Sequence, residues 1–525
     1  MSIDGGDFSR QVLPRWHTFT NAVILGEAFA PPLPNPKIQS GHFLQQKIRE
    51  WQLNKTEALA ADLVGNALLS GNPIPPEAKR AAEQLLRNAK TSTGRILAER
   101  VLNPNRAHYR LNSEELRFRA KIALLKMRIS NYPHNVICWT DLAFYYAALG
   151  QIRQSLRAMD IALNLNSDNR FVLRSAASLF VHAEAFDADP EKALFYLRAS
   201  DSTKHDPWLM ASEIAVSDHL DIRPQTTRYG AEAIRTGNFS DRDLSELRSA
   251  LGTLECSSGS FSKGKKLVND SLIHPTENAL AQAEWLTARK QLSFHYGDYV
   301  IPNSYEARSI AQFHECNFGK AIANTWKWME YQPFSANPAM MGSYMASFVS
   351  EDYVQALEFV RAGLKLSPRD FYLNNNHAFC LASLGKIDEA IATVAAIPQS
   401  VGQLSHREAG TFLATTGLIL YRASRPHAGR KHYTLAQRVF TREKLPKLVL
   451  TARIYMAREE RHYDEVEGNK LLDEVLAKSE GNPDTPLIKL AKKIRGRPCS
   501  VKTGTVSPRF EHALDQLEAL TFNER

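Results

Sequence analysis

Cysteine is scarce in this 525-residue chain. There are five, odd in number and far apart (Cys138, Cys256, Cys316, Cys380, Cys499), with no CxxC pair and no histidine at zinc-ligand spacing around them. This excludes a disulfide framework and a zinc module and points to a reducing, cytoplasmic setting. No apolar run approaches the roughly 20 residues that a membrane span requires, so no membrane partner is expected. FTNAVILGEAFA, residues Phe19 to Ala30, follows Arg10 and Arg15 and ends like a leader cleavage site. Asn21 and Glu27 within it, and Asp4 and Asp7 before it, favour a buried N-terminal helix instead. A GxSxG elbow and an HExxH run are both missing, and the carboxylates are scattered with no pair singled out. The chain is therefore expected to be non-catalytic, with no metal and no cofactor.

Three near-misses need their ordinary readings. Gly259 to Lys266, GSFSKGKK, departs from the phosphate-binding GxxxxGK[ST] loop at its last position, and a helical pattern precedes it where a strand is required. Gly259 and Gly264 are read as turn and helix-crossing residues. All-helical ribonucleases use an Arg and a His with four to six residues between them. Arg10/His17, Arg128/His134, Arg198/His205, Arg289/His295, Arg308/His314, Arg422/His427 and Arg425/His432 have that spacing. Composition alone supplies roughly four such pairs, and none here has the Asn or Asp that usually follows the Arg. Asp187, Asp189 and Glu191 suggest calcium, but Pro190 and the absence of a later bidentate Glu make a solvated loop the better reading.

What the chain does have is periodicity. Apolar residues make up 44% and charged residues 23%, which suits a folded core, and the length calls for several domains or one repeat array. Val136 to Asn169 reads as a helical hairpin: VICWTDLAFYYAALG, a turn at Gly150, then QIRQSLRAMDIALNLNSDN with Ile152, Leu156, Met159, Ala162 and Leu163 on one stripe. Two units follow each other at 34 residues, Asn337 to Asp370 and Phe371 to Leu404, where Ala356 matches Ala390 and Val360 matches Val394. The phrase LGKIDEAI in the second, and LGQIRQSL from Leu149, resemble the tetratricopeptide signature. Weaker copies occupy Ser245 to Asn278, Pro302 to Ser335 and Gly410 to Glu443. Phe171 to Asp206 fits with an insertion around Ala185 to Asp189, while Pro207 to Arg242 and Ala279 to Ile301 fit poorly.

The resemblance implies an all-α, right-handed solenoid of helical hairpins. Three domains are expected: an N-terminal helical domain at 1–112, broken by PPLPNP at Pro31 to Pro36, continuing in amphipathic helices and resembling no known family; a tetratricopeptide-like array at 113–480; and a basic C-terminal segment and capping helix at 481–525. The last ends in FEHALDQLEAL, whose Leu514, Leu517 and Leu520 are expected to cover an apolar end of the array.

Members of the resembled family bind peptides along the first helix of each pair. The corresponding positions here are Tyr372, Asn375, Asn376 and Phe379, with Thr140, Asp141 and Phe144 in the Val136 unit. Asn376 stands where carboxylate-binding members carry an Asn, but the companion Lys and Arg are not matched. Charge offers a second surface. Residues 79–128 hold 13 Lys and Arg against 4 Asp and Glu, and residues 425–510 hold 19 against 10. The first cluster includes Arg95, Arg100, Arg106, Arg110, Arg117 and Arg119; the second includes Lys489, Lys492, Lys493, Arg495 and Arg497. Such footprints suit phosphate backbones, an acidic protein or plain solvation. The expected function is an interaction scaffold for a protein partner. The alternatives are a nucleic-acid-associated subunit that positions a nuclease or effector through the basic ends and, less favoured by the residues, an all-helical ribonuclease.

Overall fold

The computed structural model describes residues 11–24, 40–69, 74–88, 98, 101–102, 107–183, 189–290, 292–294, 301, 303–397, 404–477, 485–499 and 501–520. Within these, side chains are described except at 23–24, 40–43, 69, 107–114 and 289–290. Every regular element among the described residues is helical. They form two compact units, one spanning His17–Leu165 and the other joining residues 11–16 to Asn166–Arg525.

The His17–Leu165 unit contains α1 (Phe19–Ile24), α2 (Ser40–Leu53), α3 (Glu57–Leu69), α4 (Pro76–Asn88), α5 (Ala107–Asn131), α6 (Val136–Ala148) and α7 (Ile152–Leu165). Helices α2 to α4 close around Trp51, Leu63, Val64, Ala81 and Leu85, joined by Ala98 and Val101. Helices α6 and α7 are the hairpin that the Val136 periodicity predicts. Asn135 caps α6 by accepting the Cys138 N–H at 3.1 Å, and Gly150, at φ 71°, takes the left-handed turn that ends it. Ser155 donates to the Ala143 carbonyl at 2.7 Å where the two helices cross.

The second unit repeats this device: α8 (Arg170–His182), α9 (Pro190–Ala199), α10 (Pro207–His219), α11 (Thr227–Thr236), α12 (Asp241–Ser257), α13 (Phe261–Ser271), α14 (Glu277–Lys290), α15 (Tyr305–His314), α16 (Phe318–Tyr331), α17 (Asn337–Tyr344), α18 (Tyr353–Leu366), α19 (Phe371–Ser383), α20 (Ile387–Ala395), α21 (His406–Arg422), α22 (Pro426–Arg442), α23 (Pro446–Tyr463), α24 (Glu465–Ala477), α25 (Pro486–Arg495) and α26 (Pro508–Glu518). Prolines open α9, α10, α22, α23, α25 and α26, where the missing N–H has no intrahelical role, and Asp189 and Asp206 cap the first two of these. Each 34-residue period is one hairpin packed on the next, as the tetratricopeptide resemblance implies. First helices lie against first helices in two rows, α8–α10–α12–α14 and α17–α19–α21–α23.

Close crossings explain the glycines. A Cβ at Gly264 on α13 would lie 2.8 Å from the Gly252 carbonyl oxygen of α12, so GSFSKGKK is a turn followed by a crossing between two helices. Sequence periodicity does not anticipate the π turn at Met345–Ser350, which prolongs α17. Nor does it anticipate the course of the C-terminus. Leu514 and Leu517 are buried as expected and Leu520 only half-buried, but α26 lies against α20 and α21, ahead of the last hairpin α23/α24.

Candidate functional site

In the second row of first helices, the π turn, α19, α21, α22 and α23 leave a small recess that opens to solvent. Phe348, Phe379, Tyr433, Phe440, Leu448 and Tyr455 give it apolar walls, and Asn375, Thr411, Thr415 and Thr451 are the polar side chains among the rest.

The π turn builds the floor. Widening one turn of helix leaves carbonyls without their usual N–H partners, and side chains take their place. The Tyr455 hydroxyl donates to the Phe348 carbonyl at 2.7 Å, and the Lys493 ammonium donates to those of Ser350 at 3.1 Å and Val349 at 3.4 Å. Phe348 then stacks on Phe379 at 4.4 Å with an interplanar angle of 14°, and Tyr455 meets both rings edge-on at 5.3 and 5.4 Å. Behind this cluster lies a buried charge network. Arg422 holds Glu459 through two hydrogen bonds of 2.6 and 3.0 Å, and Arg458 joins Glu459 at 2.8 Å, the Tyr353 hydroxyl at 2.6 Å and the Tyr455 ring face at 4.6 Å. Burial works against the Glu459 charge, but Arg422 and Arg458 outweigh it and hold the carboxyl below its ordinary range. This network fixes α23 against α21 and keeps the Tyr455 wall in place.

One wall residue is left unsatisfied. Asn375 is 1% exposed, yet neither its amide nitrogen nor its amide oxygen has a hydrogen-bond partner. Leaving such a group buried and unpaired costs about 1–3 kcal/mol. A side-chain amide carries a donor and an acceptor side by side, which is the pattern a peptide bond presents in return.

The groove residues expected from sequence divide between the units. Asn375 and Phe379 meet in the recess. Asn376 is fully buried and donates to Ser343 at 3.0 Å, and Tyr372 is buried on the same helix, so both pack the array. In the other unit Thr140 is buried and bonded to the Val136 carbonyl, and Phe144 meets Tyr145 edge-on. Asp141 accepts the Phe19 N–H at 2.8 Å, and burial pushes its carboxyl up to about 7 despite that bond and the nearby Arg128 and Lys121. Sequence reasoning missed Phe348, Tyr433, Phe440 and Tyr455. The signal for them is weak: each is an ordinary apolar position on its own helix, and only stacking of four hairpins brings them together.

The basic residues are largely engaged. Arg95, Arg100 and Arg106 lie outside the described residues, as does the Arg110 side chain. Arg119 pairs with Glu115 at 2.7 Å, and Arg117 lies over the Phe118 ring at 5.5 Å. In the second cluster Lys493 and Arg497 share Glu351, at 2.8 and 3.3 Å, and Arg495 pairs with Asp473 at 2.9 Å; Lys489 and Lys492 are exposed. Of the Arg/His pairs, Arg198 is tied to Glu213 and the Arg223 carbonyl, and Arg422 to Glu459. Among the described residues no group of three or more His, Cys, Asp or Glu is placed to hold a metal, and no helix is long and apolar enough to cross a membrane.

No protein-family model and no curated protein matches the chain. Solved structures similar to it include yeast Tom70, at 14% identity over 87% of this chain and 96% of that one with a TM-score of 0.32. The Cut9–Hcn1 hetero-tetramer of the APC/C is similar at 12% identity over 87% and 93% with a TM-score of 0.33. A human IFIT1 dimer with PPP-AAAA is similar at 13% identity over 87% and 94% with a TM-score of 0.32.

Proposed function

We propose that the chain is a non-catalytic interaction scaffold that holds a peptide segment of a protein partner in the recess of the α17–α19–α21–α23 row. The observation that carries this reading is the Asn375 amide, buried without a partner in a wall otherwise made of aromatic and aliphatic side chains. A peptide bond laid across it satisfies both amide atoms, and an apolar side chain beside that bond fills the space between Phe379, Tyr433 and Tyr455. Rigid aromatic walls lose little freedom on binding, which suits recognition by a few anchors.

A displayed library of random peptides, selected on the intact chain, tests this. Peptides with a bulky apolar residue should be enriched, and each should bind Asn375→Leu or Phe379→Ala at least tenfold more weakly. If none is enriched, or if those enriched bind both variants as well as the original, the recess is not the binding site.

The nucleic-acid alternative draws its support from α5, where Arg117, Lys121, Lys126 and Arg128 are all exposed. The C-terminal cluster supports it less, since three of its five cations have carboxylate partners.

A further inference from the structure

The first row of first helices is already occupied. Residues 11–18 form no helix or strand, and residues 11–16 run across α12, α14 and α15 as a bound peptide would. Much of the recognition is of backbone: the Gln282 side chain accepts the Val12 N–H at 2.5 Å, the Asn278 amide donates to the Val12 carbonyl at 3.5 Å, and the Gln332 amide donates to the Trp16 carbonyl at 3.4 Å. Gln11 returns one bond to the Ala250 carbonyl at 2.9 Å. Two side chains are read specifically. The Arg15 guanidinium lies between Glu277, at 3.3 Å, and Glu306, whose other oxygen accepts the Trp285 indole N–H at 2.7 Å. Trp16 is fully buried, its ring 4.8 Å from that of Phe334.

The fit is incomplete. Gln11, Val12 and Pro14 meet α10, α12 and α14 around a small recess. Buried Ser249 Oγ and Asn278 Oδ1 in its lining have no hydrogen-bond partner. A segment built into a core leaves few such atoms; a segment held by main-chain bonds, an arginine between two carboxylates and one aromatic anchor is held as ligands are.

We propose that this groove is a second binding site, specific for a non-helical segment in which a large aromatic residue follows arginine, and that residues 11–16 are its resident occupant in cis, exchangeable for a partner segment of the same chemistry. It is separate from the Asn375 recess, and neither reading depends on the other. The amides of Gln282, Asn278 and Gln332 bond main-chain groups and so carry no side-chain preference. The Glu277 and Glu306 carboxylates demand a bidentate cation, for which lysine is a poor substitute, and the Phe334 wall demands a ring.

The probe is a fluorescent peptide copying residues 9–18. Two variants vacate the groove by different routes: a chain lacking residues 1–16, and the full chain carrying Arg15→Glu. Both should bind the peptide, and the unaltered chain should bind it at least tenfold more weakly because its own segment competes. Peptides carrying Arg15→Ala or Trp16→Ala should lose at least tenfold against the vacated chains, and Glu277→Gln with Glu306→Gln in the Arg15→Glu chain should abolish binding. A self-associated Arg15→Glu chain that binds no peptide overturns the proposal. So does a folded vacated chain, judged by helical content and cooperative melting, that ignores the peptide. If both variants fail to fold, residues 11–16 are a core element and not a ligand, and the proposal fails equally.

Discussion

Asn375 and Asp141 show how a single buried polar group reports on its surroundings. Asn375→Leu removes two unpaired amide atoms from an apolar wall, so it should raise the stability of the unliganded chain by about 1 kcal/mol while weakening binding in the recess. Thermal melting alongside peptide binding checks both halves, and a loss of stability would mean that the amide is satisfied in solution. Asp141 works through its proton. Its folded pKa of about 7 lies above the ordinary carboxylate value, so between these two values the folded chain keeps a proton that the unfolded chain releases. Stability from this group is therefore lost as pH rises from about 4 through about 7, and above that the cost is constant, on the order of 1–4 kcal/mol. Asp141→Asn retains an acceptor for the Phe19 N–H without the charge. It should melt higher than the original at pH 8 and close to it at pH 4; equal midpoints at both would show that Asp141 is ionised and solvated.

The C-terminal helix α26 separates two kinds of attachment. Its apolar face buries Leu514 and Leu517, while Arg425 reaches Glu511 at 2.8 Å and Asp515 and Glu518 at 2.7 Å each. Burial of two leucines contributes about 3–5 kcal/mol before ordering costs, whereas solvated ion pairs contribute about 0–1 kcal/mol each. Leu517→Ala should therefore lower the melting midpoint clearly, and Arg425→Ala should lower it less and mainly at low salt. The reverse order would make α26 an electrostatic clamp. This helix also shows what the sequence could reveal. Its existence and two of its three expected buried leucines follow from the three-and-four stripe of FEHALDQLEAL, because that signal is local; Leu520 is in fact only half-buried, and the helix starts earlier, at Pro508. Its destination on α20 and α21 depends on Arg422 holding the Lys502 carbonyl at 2.9 Å and Asp388 accepting the Ser507 N–H at 3.0 Å, contacts across 80 and 119 positions that no periodicity encodes. The hairpins from Val136 to Asn169 and from Asn337 to Leu404 were legible for the same local reason. The recess was half legible: Asn375 and Phe379 stand at recognisable groove positions, but the π turn that aligns Phe348 depends on Tyr455 and Lys493, which come more than 100 positions later.

Between the two units, acid should act in opposite directions. In the unit that holds the N-terminal segment, burial, aided by Arg15 and His219, depresses His182 to about 4. The unfolded chain takes up that proton near 6.5, so this contribution is complete above about 6.5 and lost as pH falls toward 4, by up to about 3 kcal/mol. Arg15, His219 and the ring of Phe334, 5.3 Å from that of His182, are the groups it faces. Asp141, in the His17–Leu165 unit, gains stability over much of the same range. Scanning calorimetry from pH 7 to pH 4.5 should show a His182→Phe variant, uncharged and similar in volume, losing less of its main transition than the original, and the Asp141→Asn variant no longer gaining from acid. If His182→Phe tracks the original throughout, that histidine does not govern the acid response.

The grip of Gln332 and Phe334 on Trp16 sets an order of events in the making of the chain. The two partners are 316 positions apart. At roughly 5–20 residues per second, Trp16 leaves the ribosome on the order of 15–60 s before the residues that cover it. Hairpins α6/α7 and α8/α9 can close in that interval, because their partners are neighbours in the chain. Residues 11–16 cannot. They wait, with a tryptophan and an unneutralised arginine exposed, until α15 and the turn after α16 have been made, so their docking comes later than the closing of the hairpins before it and is open in that interval to anything that binds a nascent aromatic segment.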